Sequence, residues 1–107
     1  MPGKILGQVD VTAAATNITI GTVPTGFWWA FTVNFTNRST SLVKIRLALA
    51  AAAAPGNTEW LIYDYEMQPN ETFDKTGLVL QAGKLVVCQA NIANAISVNA
   101  YGMEDPV

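Results

Sequence analysis

Between Phe27 and Thr36 the side chains alternate in character at every step. Phe27, Trp29, Phe31, Val33 and Phe35 fall on odd positions, and Trp28, Ala30, Thr32, Asn34 and Thr36 on even ones. Successive side chains of a strand point to opposite faces, so this segment reads as a strand with one aromatic, apolar face and one small or polar face. A helix would scatter the same residues around its circumference. The pattern returns downstream, where Val43, Ile45, Leu47 and Leu49 face one way and Leu42, Lys44, Arg46 and Ala48 the other. The intervening Asn37-Arg38-Ser39-Thr40-Ser41 is polar and of hairpin length, which predicts that the two strands pair antiparallel.

The rest of the chain follows the same logic. Ile5–Val11 and Asn17–Val23 read as strands, the second closed by Pro24-Thr25-Gly26, where proline presets φ and glycine accepts positive φ. Trp60–Glu66 is rich in aromatic and β-branched residues and stops at the turn Gln68-Pro69-Asn70-Glu71. Short strands are expected at Thr72–Thr76 and Leu78–Leu80, then at Lys84–Ala90 and Ala95–Gly102. Ala50–Ala54 favours helix but is too short to nucleate one, and Pro55-Gly56-Asn57 ends it. It reads as a strand end running into a loop, with room for one helical turn. Together these predict an all-β fold, an antiparallel β-sandwich or jelly roll of about 7–9 short strands, in one domain covering residues 1–107.

Composition narrows the function. Half of the 107 residues are hydrophobic and only 13% are charged, against roughly 25% in ordinary soluble domains. Such a surface suggests partial burial in an assembly. Net charge is −2 and the six basic residues are scattered, with only Lys44 and Arg46 close together. Nucleic-acid binders carry a basic stripe, so nucleic acid is not expected as a partner. Cys88 is the lone cysteine, which excludes an intrachain disulfide, and its apolar neighbours point to an inert buried thiol. Met1-Pro2-Gly3-Lys4 leads into a strand-like segment rather than a signal-peptide core. The longest apolar run, residues 47–54, falls short of a membrane span. Asn17, Asn34, Asn37 and Asn70 fit the glycosylation pattern, which has meaning only in a secreted chain and reads here as chance.

The chain contains no histidine, which removes the commonest general base and metal ligand. No phosphate-binding glycine loop is present. Carboxylates remain. Asp64 and Glu66 share a strand face, with Glu71 and Asp74 across the turn. They could serve glycoside hydrolysis or hold Ca²⁺, or simply form a solvated face opposite Leu61, Tyr63, Tyr65 and Met67. The latter reading predicts no catalytic residues, no metal site and no cofactor. Trp60, Tyr63 and Tyr65 form a candidate glycan-stacking platform, although such residues more often fill cores and anchor protein interfaces. If Trp29 is inside, Trp28 lies outside and needs cover. Leu42 makes the same demand, as does Val86 or Val87. Trp28, Leu42 and Val86 are therefore the candidate residues of a subunit contact.

Several segments, taken in order, resemble a group of small virion proteins of tailed bacteriophages. They are Leu6-Gly7-Gln8, Thr22-Val23-Pro24-Thr25-Gly26, Asn37-Arg38-Ser39, Ile62-Tyr63-Asp64-Tyr65, Pro69-Asn70-Glu71-Thr72, Gly77-Leu78-Val79-Leu80-Gln81-Ala82-Gly83 and Tyr101-Gly102-Met103-Glu104. Each is mostly turn chemistry; order and spacing carry the likeness, and Ala50–Ala54 departs from it. The resemblance implies a non-enzymatic structural protein of the virion, assembled in the host cytoplasm. Its place would be either as capsid cement or as a tail, baseplate or fibre-associated subunit. Its partners would be its own copies, by analogy a trimer at local threefold positions, and the major capsid or tail proteins.

Overall fold

The alternating segments do become strands, and the parity of each decides which side chains meet. In the computed structural model, residues 3–107 are described; the expectation placed on Met1 and Pro2 lies outside them. Eight strands follow in chain order: β1 (Lys4–Asp10), β2 (Ile18–Thr22), β3 (Phe27–Asn37), β4 (Val43–Ala50), β5 (Trp60–Met67), β6 (Thr72–Leu80), β7 (Leu85–Ala90) and β8 (Ile96–Pro106). They form two antiparallel four-stranded sheets, ordered β1-β8-β3-β6 and β2-β7-β4-β5. The hydrogen-bonded pairs β1·β8, β2·β7, β3·β6 and β4·β5 nest one inside the next. This is a long antiparallel ribbon folded over and rolled so that successive pairs fall in alternate sheets, the plan of an eight-stranded jelly roll.

The core lies between the sheets. Trp29, Phe31, Val33 and Phe35 of β3 meet Val43, Ile45 and Leu47 of β4 there, with Ile96, Val98 and Ala100 of β8 and Val86, Cys88 and Ala90 of β7. All are essentially closed to water. At one end the Trp29 indole N–H donates to Glu104 Oε2 at 3.0 Å, and Lys4 Nζ donates to Glu104 Oε1 at 2.8 Å. These two bonds hold the Glu104 carboxyl below its ordinary value, Lys4 contributing most.

Two expectations are corrected. The strands around Phe27–Thr36 and Val43–Leu49 do not pair: β3 bonds β8 and β6, whereas β4 bonds β7 and β5. The connection turns a corner from one sheet to the other. Asn37, the last residue of β3, is fully buried and its side-chain N–H groups reach the carbonyl oxygens of Ser41, Met67 and Gln68 at 2.9, 3.3 and 3.1 Å. Its Oδ1 accepts from Ser39 N at 3.0 Å and Ser39 Oγ at 2.7 Å. A hairpin and a corner offer the same length and polarity, so alternation alone cannot separate them. Second, Thr72–Thr76 and Leu78–Leu80 are one strand, β6, carried across a register shift in which Gly77 takes φ 72°. As expected, the strand ends at Ala50 and runs into a loop, in which Ala51–Ala54 forms bends without a helical turn. Glu59 holds this loop, accepting from Gly56 N at 2.8 Å and Ala51 N at 3.0 Å. Those bonds, Gly56 first, lower the Glu59 pKa.

Candidate functional site

Two surfaces carry side chains beyond what the core needs. One is the outer face of the β2-β7-β4-β5 sheet. Arg46 of β4 stands opposite a bulge in β5, where the register slips between Ile45 and Leu47 and Asp64 adopts φ 58°. The extra residue lets Tyr63 and Asp64 both reach Arg46. Asp64 Oδ1 accepts from Arg46 Nε at 2.7 Å and Oδ2 from an Nη at 3.2 Å. The same guanidinium lies 3.9 Å from the Tyr63 ring centroid and 6.0 Å from that of Trp60. This fork lowers the Asp64 pKa and raises that of Arg46.

The candidate glycan platform does not form. Trp60 and Tyr63 touch edge to face, centroids 5.7 Å apart at 75°, so no ligand can stack on both. Tyr65 turns away to stack on Phe73 at 4.5 Å and 25°, and its hydroxyl donates to Glu71 Oε2 at 2.8 Å. This bond raises the Tyr65 pKa. Regular alternation would set Trp60 on the face opposite Tyr63 and Tyr65; the bulge at Asp64 turns Tyr65 away from Tyr63, and the second register shift, opposite Leu47 and Ala48, brings Trp60 to the side of Tyr63.

The carboxylates disperse likewise. Asp64 pairs with Arg46, and Asp10 with Arg38. Glu71 closes its turn by accepting from Gln68 N at 2.7 Å, while Asp74 accepts from its cross-strand partner Asn34 within the β1-β8-β3-β6 sheet. Glu66 stands across from Lys44. Thus Glu71 and Asp74 do not join Asp64 and Glu66. Among the described residues no three acidic or cysteine side chains converge. An open depression of about 300 Å³ on β1 and β8 is lined by Gln8, Val9, Asp10, Ser97, Val98 and Asn99.

The second surface is the outer face of the β1-β8-β3-β6 sheet, and sequence reasoning found only one of its residues. Trp28 lies there as expected, partly exposed and opposite Asp105. Beside it run two cross-strand rows. One joins Ile5, Tyr101 and Thr32; the other joins Met103, Ala30 and Val79. Ile5 is 60% exposed, Val79 62%, Tyr101 42% and Met103 36%. Further along, Gln8 donates to Asn99 at 2.7 Å and Asn34 bonds Asp74, a polar half beside the apolar one. The signal was available: Ile5 sits at the parity opposite its core-packed neighbour Leu6, and Val79 at the parity opposite Leu78 and Leu80.

The other interface candidates are corrected. Val86 is fully buried in the intersheet core. Its neighbour Val87 points outward but is also fully buried, lying between Thr19 and Ala48 on the adjoining strands. Leu42 is 40% exposed yet sits in the β3–β4 corner, beyond the other end of β3 from Trp28. The three therefore make no common surface. Cys88 faces the core as expected, and burial pushes its thiol up to about 12.

The fold and these surfaces define an eight-stranded jelly-roll sandwich, a class shared by viral capsid and lectin domains. No protein-family model and no curated protein sequence matches the chain.

Proposed function

We propose that the chain is a non-enzymatic structural subunit of a tailed-bacteriophage virion, a capsid decoration protein that assembles with its own copies and braces the shell. Fold alone does not assign this, since jelly rolls host many tasks. The observation that carries the reading is the contrast between the two kinds of side chain on the surface. Six of the eight carboxylates are occupied in ion pairs, turns or cross-strand bonds, while large apolar side chains stand open in a row across a sheet. A surface with idle apolar area and engaged acids is suited to adhesion rather than to proton transfer.

The resemblance to small phage virion proteins supports the same reading. Decoration also works by number. Modest contacts to neighbouring shell subunits add through avidity when the decorating copies are themselves linked. A tail, baseplate or fibre-associated place is the alternative within this reading. A glycan-binding module is the weaker one, because Trp60 and Tyr63 meet edge to face.

The test is made on particles of the phage that encodes the chain. Mass spectrometry of purified virions should find it in many copies, and cryo-electron microscopy should place a 42 × 29 × 20 Å body on the shell. Density confined to the tail favours the alternative placement. Absence from the virion overturns the reading.

A further inference from the structure

We propose that the outer face of the β1-β8-β3-β6 sheet is an isologous self-association surface, centred on Ile5, Tyr101, Met103 and Val79, whose occupant is a second copy of this chain. The inference deepens the virion reading, resting on it only for the expectation that copies assemble.

The edges are closed to association. All four outermost strands are irregular: β1 slips between Ile5 and Gly7, β2 between Thr19 and Gly21, β6 opposite Phe31 and Val33, and β5 opposite Ile45, Leu47 and Ala48. The inner pairs β3·β8 and β4·β7 run without a slip. Bulged edges present no continuous row of backbone donors and acceptors for an incoming strand. Growth through strand addition is thereby discouraged four times over, which leaves faces as the route for contact.

The two faces differ in how their open apolar side chains are arranged. On the β2-β7-β4-β5 sheet, outward Ala48, Ala50 and Val87 are already covered, and the exposed Tyr63 and Leu61 both belong to the edge strand β5, with the Arg46 guanidinium against the Tyr63 ring. On the β1-β8-β3-β6 sheet the rows through Ile5, Tyr101, Met103 and Val79 have no such cover. The area fits. Strands of 7, 11, 11 and 9 residues tile about 600 Å² at the usual rise and strand spacing, before side-chain relief is added. A standard interface needs roughly 800 Å² from each partner.

The charge pattern points to a copy rather than to an unlike partner. A twofold contact lays a patch on itself, so charge at its centre repels its own image. The two central rows hold no charged residue, while Asp105, Asp74 and Asp10 stand outside them. An apolar centre without charge, bordered by the amides and hydroxyls of Gln8, Asn34, Ser97 and Asn99, is the anatomy of a homodimer interface.

Light scattering of the full chain up to about 1 mM should show a species of twice the 11.4 kDa chain mass. Ile5→Lys and Val79→Lys change residues that water already reaches, and each should weaken the dimer at least about tenfold with its circular dichroism unchanged. Leu61→Lys, also at an exposed apolar position but on β5, should leave the dimer intact. A monomer at the highest concentration overturns the proposal. So does a dimer indifferent to both lysines, or one lost as readily in Leu61→Lys. Should a lysine variant unfold, dilution of the wild type followed by NMR decides the matter: shifts must concentrate on Ile5, Val79, Tyr101 and Met103. A dimer of this kind missing from virions overturns the virion reading and leaves the surface standing; virions decorated by monomers do the reverse.

Discussion

Asn37 shows how one side chain sets a corner of the fold. Its amide serves the carbonyls of Ser41, Met67 and Gln68 while its Oδ1 takes two donors from Ser39. Asn37→Ala leaves the buried Met67 carbonyl without this donor, a loss that costs about 1–3 kcal/mol, and frees the part-buried carbonyls of Ser41 and Gln68; chemical denaturation should show a destabilisation of that order. Glu104 gives a pH signature. Its pKa is lowered by Lys4 and Trp29, so its stabilising effect is present above the ordinary carboxylate value and lost as pH falls through the lowered one. Thermal melting temperature should therefore drop on acidification below about pH 4.5, and drop less steeply in Glu104→Gln. Cys88 should be inert to thiol reagents at neutral pH until the protein unfolds, because its thiol is pushed up to about 12 in the core; reagent uptake should track unfolding.

At the scale of the strand, parity was legible and its exceptions were not. The β3 alternation set Phe27, Trp29, Phe31, Val33 and Phe35 on one face; the structure buries the last four and half-buries Phe27 at the strand's start. That reading succeeds because side-chain direction in a strand is a purely local consequence of the backbone. Val86 and Val87 differ only by parity within an apolar run, so composition could not choose between them. Asp64 lay hidden for another reason. Its bulge arises from pairing with β4, a long-range fact, and it parts Tyr65 from Tyr63. The corner at Asn37 was equally opaque. Gly7 marks a demanding contact between β1 and β2: a Cβ there would drive into the Ile20 carbonyl, backbone that has no side-chain freedom to yield. Gly7→Ala should lower stability by about 1–3 kcal/mol, as overpacking does, with Gly56→Ala, which meets only a glutamate oxygen at 3.7 Å, as the mild comparison.

For the molecule as a whole, the sandwich class was legible from strand spacing, whereas the order of strands was not. The same eight segments could be connected in several ways without changing any local pattern. The observed order sets β8 between β1 and β3, so the last strand is an interior member of its sheet and the sole partner of the first. Removing residues 96–107 should therefore abolish the cooperative melt, whereas removal of Pro106 and Val107 alone should be tolerated. The same arrangement bears on biosynthesis. A nascent chain that has not yet delivered residues 96–106 holds β1 with nothing to dock upon and β3 with one flank bare. The β1-β8-β3-β6 sheet closes only once β8 has left the ribosome, so translation products cut short before it are substrates for proteolysis.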